Sequence, residues 1–276
     1  MTQTLTLGIS PCPNDTYIFH ALVKKLVPVP CNFTVHMADV EELNALAVAG
    51  TLDISKISTG VVPHIAHSYA LLAAGGALGW GCGPLVVARQ AMSAEKLQQA
   101  RIAIPGRMTT ANLLLDLHGG FRGERVEMLF DAVMPAVIRG DVDCGLIIHE
   151  GRFTYADYGL VRVFDTGAWW EHSFAVPLPL GVIVARRDVD KNVALAVQRS
   201  IRDSVLYARA HPEACADYVR EHAQEMDPAV TSQHIATFVT EYSVDLGVQG
   251  CAAVEKLVRH GARNAALQTP LPPLFL

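Results

Sequence analysis

Two segments that lie far apart in the chain have nearly the same pattern of residues. They are Pro84-Leu85-Val86-Val87-Ala88-Arg89 and Pro179-Leu180-Gly181-Val182-Ile183-Val184-Ala185-Arg186. Each begins with proline, continues as an aliphatic run typical of a buried strand, and ends in Ala-Arg. We interpret them as the two places where the chain crosses between two lobes. A lobe inserted between paired crossings is the architecture of a hinged, two-lobed binding protein whose ligand occupies the cleft.

This interpretation divides the chain into two units. Residues 1–86 and 182–276 are expected to form lobe 1, which is discontinuous, and residues 87–181 to form the inserted lobe 2. Before Gly83, strand-like and helix-like segments alternate, which predicts an α/β fold with a mostly parallel sheet. After Arg187 the helical pattern prevails, so the C-terminal third is predicted to be helical. The helices predicted there span 190–210, 212–222, 228–242 and 250–262.

The charge and the cysteine spacing exclude several classes of function. The 276 residues include 22 Lys and Arg against 27 Asp and Glu, a net charge of −5, and they form no basic stripe. A nucleic acid is therefore not an expected partner. An anionic small ligand is compatible with this balance, because a few local donors decide its binding. The six cysteines form no CxxC pair and the eleven histidines no HExxH motif, which predicts reduced thiols and no metal site.

The first residues, Met1-Thr2-Gln3-Thr4-Leu5, have neither a basic region nor a long apolar region. We therefore expect no signal peptide and a cytoplasmic protein. No apolar run in the sequence reaches the length of a membrane span, so a membrane is not an expected partner either.

Polar residues follow four of the predicted strands, two in each lobe. These positions are 10–15, 55–58, 106–110 and His149-Glu150. In an open α/β sheet, ligands bind beyond the carboxyl ends of the strands. The four groups are therefore expected to face one cleft.

His149 is the candidate for proton transfer at these strand ends. It follows Gly145-Leu146-Ile147-Ile148, an apolar run long enough for one buried strand. An imidazole has an unperturbed pKa of about 6.5, which suits general acid–base chemistry near neutrality. The pattern alone leaves a second interpretation open, in which His149 is bonded to a backbone carbonyl at the end of the strand.

Thr109 and Thr110 are the candidates for binding an anion. They stand at a predicted helix start, where free N–H groups and the helix dipole favour a carboxylate. A threonine at that position is equally typical of a plain helix cap. Lys56 would supply a counter-charge at the cleft, although most lysines are simply exposed.

Other residues near the strand ends have structural interpretations of equal or greater weight. Asn14 and Asp15 are typical helix caps, and Cys12 is typical of a buried, inert thiol. The aromatic side chains of Tyr155 and of Trp169-Trp170 suit either a ligand or the core. No chemistry is assigned to the histidines of the helical tail, His211, His222, His234 and His260.

Five runs of residues resemble a known family. They are Ser10-Pro11-Cys12-Pro13-Asn14-Asp15-Thr16, Gly75-Gly76-Ala77-Leu78-Gly79, Gly83-Pro84-Leu85-Val86-Val87-Ala88-Arg89, Gly145-Leu146-Ile147-Ile148-His149-Glu150 and Gly167-Ala168-Trp169-Trp170. Together they resemble the 1,4-dihydroxy-6-naphthoate synthase family, whose members belong to the futalosine route of menaquinone biosynthesis. The resemblance extends over almost the whole chain.

The resemblance implies a fold, a reaction and a set of site residues. The fold is the type II periplasmic-binding-protein fold, in agreement with the two crossings. The reaction is a carbon–carbon lyase step that converts cyclic dehypoxanthine futalosine, a small anionic substrate, to 1,4-dihydroxy-6-naphthoate without metal or organic cofactor. The family's base falls on His149, and its substrate-contacting stretches fall on Lys56-Ile57-Ser58 and on Thr109-Thr110.

Two other functions are compatible with the same fold. The first is a small-molecule binding protein that serves transport, which the lack of a signal peptide disfavours. The second is a chorismate dehydratase-like enzyme, which the Ile147-Ile148-His149-Glu150 run disfavours. A role for Glu150 in orienting His149 is disfavoured as well, because neighbours in a strand point to opposite faces.

Overall fold

Two five-stranded sheets organise the described part of the chain in the computed structural model, which comprises residues 3–223, 227–267 and 270–276. The strands are β1 (Thr4–Ile9), β2 (Asn32–Met37), β3 (Ile54–Ser58), β4 (Tyr69–Gly79), β5 (Leu85–Ala88), β6 (Ile102–Ile104), β7 (Arg125–Glu127), β8 (Cys144–Ile147), β9 (Val161–Asp165) and β10 (Leu178–Arg186). The first sheet has the order β2-β1-β3-β10-β4 and the second β7-β6-β8-β5-β9. The predicted α/β class is confirmed.

Helices cover both sheets and make up most of the C-terminal third. In the first two thirds they are α1 (Pro13–Val23), α2 (Val40–Val48), α3 (Val62–Ile65), α4 (Ala94–Gln99), α5 (Thr110–His118), α6 (Phe130–Arg139), α7 (Gly151–Thr154) and α8 (Thr166–Phe174), with a short 3-10 helix at Thr59–Val61. They are followed by α9 (Lys191–Ala210), α10 (Pro212–His222), α11 (Pro228–Phe238), α12 (Glu241–Val244) and α13 (Gly247–Asn264). No helix in the described ranges combines the length and the apolar character needed to cross a bilayer.

The predicted helical C-terminal third is confirmed, with one interruption. The segment predicted as a single helix over 228–242 ends at Phe238, and α12 begins after Thr240. Thr240 and Ser243 form a reciprocal capping box, in which each side chain bonds the other's main chain. The hydroxyl of Thr240 also donates to the Leu78 carbonyl at 2.8 Å. These tertiary bonds favour a new helix start over continuation of the first helix.

Each of the two similar segments is the first strand after a crossing. The chain leaves the first sheet at Gly79 and enters the second at Leu85, and it returns between Asp165 and Leu178. The expected lobe boundaries at 86/87 and 181/182 therefore fall inside β5 and β10. The segments that connect the two sheets are residues 80–84 and 166–177, a few residues before the expected boundaries. We propose these two segments as the lobe boundaries.

The expectation of mostly parallel sheets is only partly right. Strand β1 is parallel to β2 and β3, but β10 is antiparallel to both of its neighbours. In the second sheet, β5 is likewise antiparallel to β8 and β9. The reason is topological. Both antiparallel strands are reached by a crossing from the other sheet, so neither is the second strand of a βαβ unit, whose crossover within one sheet makes neighbouring strands parallel.

The main chains of the two crossings touch each other at Gly83 and Gly167. A methyl group on Gly83 would overlap the Cα of Gly167, and a methyl group on Gly167 would overlap the Cα of Gly83. Beside this contact, the main-chain N–H and the hydroxyl of Thr166 both donate to the Pro84 carbonyl, at 3.2 and 2.7 Å. The cleft between the lobes thus has a narrow, hydrogen-bonded connection at one end.

We expect Gly83→Ala to destabilise the protein, because its new methyl group forces the two crossings apart. Overpacking of this kind costs about 1–3 kcal/mol. The matched control is Gly151→Ala, where the nearest atom to an added methyl group is 3.5 Å away. Urea unfolding measures both variants. If both variants lose the same free energy of unfolding, the close contact between Gly83 and Gly167 does not limit the size of the side chain at position 83.

Candidate active site

A cleft of about 710 Å³ lies between the two sheets, and side chains from both lobes line it. All of the residues predicted for the site border it. They are Lys56, Ile57, Ser58, Thr109, Thr110 and His149. The strands β1, β3, β6 and β8 end at this cleft, as expected for ligand positions beyond strand ends. The roles of these residues in binding and catalysis remain predictions.

Lys56 and Asp15 form a buried ion pair on the floor of the cleft. Lys56 Nζ lies 2.7 Å from Asp15 Oδ1, and both side chains are about 95% buried. Lys56 also donates to the Gly75 carbonyl at 3.2 Å. Asp15 accepts further bonds from Ser10 Oγ at 2.7 Å and from Asn14 Nδ2 at 2.8 Å. Lys56 is therefore not an exposed lysine, and its charge is already balanced within the protein.

The expectation that Asn14 and Asp15 cap α1 is wrong. The helix begins after Cys12, whose side chain makes no capping bond, and Pro13 occupies its first turn. Both polar side chains point instead into the network around Lys56. The reason is energetic. A buried lysine requires a carboxylate with its remaining oxygens satisfied, whereas at the helix start the N–H groups of Asp15 and Thr16 already donate to the Cys12 carbonyl, both at 3.0 Å.

Asn44 holds Ser58 at the end of β3. The Ser58 N–H donates to Asn44 Oδ1 at 2.8 Å, and Asn44 Nδ2 donates to Ser58 Oγ at 3.1 Å. Ser58 Oγ is thus an acceptor toward Asn44, and its O–H is left to donate elsewhere. Ile57, between Lys56 and Ser58, has a fully buried side chain that packs with Val61 and Val182.

Thr109 is a helix cap, which is one of the two interpretations that the sequence left open. Its Oγ1 accepts from the Asn112 N–H at 3.2 Å and donates to the Gly106 carbonyl at 2.8 Å. Thr110 Oγ1 donates to the Leu180 carbonyl at 2.6 Å and accepts from the Gly60 N–H at 3.0 Å. Thr110 therefore joins the two lobes. Since both hydroxyl protons are donated to main-chain carbonyls, an anion at this helix start would have to be bound by first-turn N–H groups rather than by the hydroxyls.

His149 lies in the cleft on a left-handed turn of the main chain. Strand β8 ends at Ile147, and His149 has φ +54°. Its ring nitrogens lie 3.6 and 3.7 Å from Cys12 Sγ, and its ring meets Phe130 edge-on at 4.8 Å between centroids. The ring nitrogens thus face a thiol across the cleft. The left-handed main-chain conformation of His149 costs about 1–3 kcal/mol, and conformations of this kind are typical of functional sites.

The expectation of a buried thiol at Cys12 is confirmed. Burial raises the pKa of Cys12 well above its usual range, and the carboxylates of Glu150 and Asp15 raise it further. Cys12 therefore stays protonated. A neutral thiol is a weak donor and a weak acceptor, so it accommodates either tautomer of His149.

Sequence reasoning missed His234, which contacts His149 from behind the cleft wall. It lies on α11, is fully buried, and stacks on His149 with 6.1 Å between ring centroids and 17° between planes. Its Nε2 is 2.9 Å from Asn14 Oδ1, and its Nδ1 is 3.7 Å from Glu150 Oε1. Placing this residue away from the strand ends was wrong, because α11 packs against α1 and β4. No motif marks the position, so no signal in the sequence identifies it.

The two tryptophans pack against other side chains, Trp170 in the core and Trp169 partly buried beside it, as one of their two interpretations predicted. Trp170 is fully buried, donates to the Pro177 carbonyl at 3.3 Å and packs on Phe174. Trp169 packs against His118 and Phe174. The cleft is bordered instead by Phe238 and by Arg152, whose guanidinium donates to the carbonyls of Gly81 and Gly83. Within the described ranges, no three His, Cys, Asp or Glu side chains are grouped as metal ligands.

The chain has a two-lobed, periplasmic-binding-protein-like fold. Its structure superimposes on that of the periplasmic aliphatic sulphonate binding protein of Escherichia coli with a TM-score of 0.69 at 10% identity, covering 99% of this chain and 91% of that one. This likeness concerns the fold alone. A crystal structure of a protein from Archaeoglobus fulgidus gives a TM-score of 0.90 at 33% identity, over 96% of this chain and 98% of that one. The predicted periplasmic-binding-protein-like fold is thus confirmed.

Sequence comparison identifies the family within that class. Residues 5–263 match the model of a menaquinone biosynthesis family. The 1,4-dihydroxy-6-naphthoate synthase of Thermus thermophilus is 47% identical over 98% of both chains. That of Streptomyces coelicolor is 46% identical over 94% of this chain and 93% of its own. The chain belongs to this family, and the resemblance expected from its motifs is confirmed.

We expect Lys56→Met to lower the free energy of unfolding by about 3–5 kcal/mol, because it leaves the Asp15 carboxylate buried without a counter-charge. The double variant Lys56→Met/Asp15→Leu removes both charges, and its free energy of unfolding is expected to fall less than that of Lys56→Met alone. The control is Arg259→Met, which removes one partner of an exposed pair with Glu255 and should cost less than about 1 kcal/mol. Urea unfolding measures all three. A loss for Lys56→Met no larger than that of the control would contradict the buried-pair interpretation.

Proposed function

We propose that this protein is a carbon–carbon lyase that converts cyclic dehypoxanthine futalosine to 1,4-dihydroxy-6-naphthoate in the futalosine route, in the cytoplasm and without a cofactor. The observation that carries the proposal is the single imidazole of His149, held in the cleft between the lobes on a left-handed turn. The names of the relatives from Thermus thermophilus and Streptomyces coelicolor support the reaction class.

The substrate binds across the cleft. Its ring carboxylate lies at the start of α5, where Thr109 and Thr110 hold the main chain so that the first-turn N–H groups face the ligand. Ser58 donates its hydroxyl from the opposite lobe, beside Ile57. Lys56 contributes a positive charge that Asp15 balances. The ring carboxylate of the substrate therefore faces an ordered ion pair with no net charge at the base of the cleft.

His149 then takes a proton from the sugar-derived portion of the substrate. The electron pair left by that proton forms a carbonyl group in the sugar-derived portion, and the adjoining carbon–carbon bond breaks with its electron pair kept by the ring carbon. That carbon takes the proton back from His149, and the small sugar-derived fragment leaves as the carbonyl compound. Aromatisation of the new ring makes the reaction favourable. Closure of the lobes excludes water from the anionic intermediate, and the bonds of Thr110 to both Gly60 and Leu180 join the lobes at that side.

Two competing functions predict different products. A binding protein of the same fold would hold the substrate without converting it, and a chorismate dehydratase-like enzyme would act on chorismate. Incubating the purified protein separately with cyclic dehypoxanthine futalosine and with chorismate, followed by mass spectrometry, distinguishes them. We expect product only from cyclic dehypoxanthine futalosine. Product only from chorismate, or no product from either, would reject the proposed reaction.

We expect His149→Ala to lower kcat at least about a hundredfold, since removal of a positioned general base costs about 10²–10⁴ in rate. Substrate binding, measured by calorimetry, is expected to persist because the carboxylate and hydroxyl contacts are unchanged. The control is His64→Ala, which alters an exposed histidine outside the cleft and should retain full activity. Near-wild-type turnover by His149→Ala would exclude His149 as the base.

A further inference from the structure

Arg152 borders the cleft, and the proposed reaction does not use it. Its side chain is partly buried, and its two terminal nitrogens donate to the carbonyls of Gly83 and Gly81, the latter at 2.7 Å. A guanidinium has five N–H donors and is always charged in proteins. Among the described residues, Arg152 has no other hydrogen-bond acceptor and forms no ion pair with a carboxylate. Three N–H groups and a positive charge are therefore left for a ligand.

The crossing at residues 80–84 holds the guanidinium of Arg152 in a fixed orientation. Gly83 is in main-chain contact with Gly167, and the Gly81 N–H donates to Glu171 Oε1 at 2.6 Å, so both carbonyl partners of Arg152 belong to a constrained segment. A planar guanidinium bonded through both terminal nitrogens is pre-organised for a further partner. The two carbonyls are neutral, so they orient the positive charge of Arg152 without cancelling it.

Arg152 gives the cleft an excess of positive charge. In the described part of the chain, the acidic side chains and the Lys and Arg side chains that line the cleft are Asp15, Lys56 and Arg152. Asp15 and Lys56 balance each other at 2.7 Å, which leaves the charge of Arg152 uncompensated. The protein as a whole has a net charge of −5, so this local excess is opposite in sign to the molecule. A cleft of this kind favours a negative charge on its ligand.

Arg152 stands on the same wall of the cleft as His149. The main-chain N–H of Arg152 bonds the His149 carbonyl at 3.4 Å, so the two residues are the ends of one turn that leads from β8 into α7. Both side chains line the cleft. The wall that presents the imidazole therefore also presents the uncompensated cation.

We propose that Arg152 is a second catalytic residue, whose free N–H groups bind the substrate oxygen that loses its proton to His149. This inference deepens the proposed function and rests on it. As the proton moves from that oxygen to His149, the electron pair stays on the oxygen as a negative charge until the carbonyl group forms and the carbon–carbon bond breaks. Arg152 remains protonated throughout, so the proton balance of the reaction is unchanged. Donors that are already oriented toward a developing charge stabilise it at little cost of reorganisation.

The first test compares kcat and KM of Arg152→Gln with those of the wild type for cyclic dehypoxanthine futalosine. Because the charge develops only in the transition state, kcat should fall about 100- to 1,000-fold with KM little changed. The matched control is Arg187→Gln. Arg187 also donates to two main-chain carbonyls, those of Ala66 and Pro273 at 2.9 and 2.7 Å, but lies outside the cleft, so this variant should keep the wild-type kcat.

A second variant separates the charge of Arg152 from its bonds to the crossing. Arg152→Lys keeps a positive charge but loses the planar fork that bonds the carbonyls of Gly81 and Gly83. It should turn over at least about tenfold faster than Arg152→Gln, although more slowly than the wild type. If Arg152→Lys is as slow as Arg152→Gln, the positive charge is not what the reaction requires, and the inference is overturned.

A binding measurement distinguishes this role from binding of the ring carboxylate. The product, 1,4-dihydroxy-6-naphthoate, keeps the ring carboxylate but lacks the sugar-derived portion. Its Kd, measured by calorimetry, should therefore agree within about threefold between the wild type and Arg152→Gln, which also shows that the variant is folded. A Kd that rises about tenfold or more in Arg152→Gln would place Arg152 at the carboxylate and overturn the inference.

The outcomes separate the inference from the proposed function. If the wild type forms product and Arg152→Gln turns over within about threefold of it, the role of Arg152 is rejected and the proposed function stands. If the wild type neither binds 1,4-dihydroxy-6-naphthoate nor forms it from cyclic dehypoxanthine futalosine, the proposed function is rejected and the role of Arg152 with it.

Discussion

The buried ion pair between Lys56 and Asp15 is the interaction on which the rest of the site depends. Two opposite charges that are almost entirely removed from water are stable only when every remaining polar atom has a partner. Ser10, Asn14 and the Gly75 carbonyl provide those partners, and in doing so they connect β1, α1, β3 and β4. The orientation of Asn14 then determines the tautomer of His234 beside the cleft. The buried ion pair thus influences a buried imidazole of the same lobe, which in turn stacks on His149.

The cleft combines rigid walls with a narrow connection between the lobes. Two hydrogen bonds join the lobes along one side of the cleft. The Thr110 hydroxyl donates to the Leu180 carbonyl, and the Met108 N–H donates to Glu41 Oε1. At the far end the crossings pass at Gly83 and Gly167, where main-chain contact leaves no room for a side chain. His149 is supported by β8 on a strained turn rather than within the strand. Strain at such a position is tolerated because the surrounding packing over-determines it.

The same two-lobed fold occurs in a periplasmic aliphatic sulphonate binding protein and in this chain, which belongs to a menaquinone biosynthesis family. The fold explains why a ligand is enclosed between the lobes, but it does not explain chemistry. The distinguishing features here are the imidazole of His149, the neutral thiol of Cys12 and the second imidazole of His234. A transport protein has no need for stacked imidazoles beside a thiol. The imidazole of His149 in the cleft, with these two groups packed against it, is what supports a catalytic function.

The sequence by itself determined the features that depend on short stretches of chain. The paired aliphatic runs at Pro84 and Pro179 predicted two lobes, and the helical C-terminal third followed from periodicity and capping residues. The convergence of Lys56, Ser58, Thr109 and His149 followed from a general rule about strand ends. The family motifs identified His149 from its neighbours in the chain.

Only the tertiary structure decided which polar groups are partners. Lys56 and Asp15 are 41 residues apart, and Asn14 and His234 are 220 apart. Neither pair is marked by a motif, because a side chain's partner depends on how distant elements pack rather than on its own neighbours. The antiparallel entry of β5 and β10 was decided in the same way, as was the use of Asn14 and Asp15 in the Lys56 network rather than as helix caps. Burial is the physical reason, since removing a charge or an imidazole from water makes its long-range partners more important than local propensity.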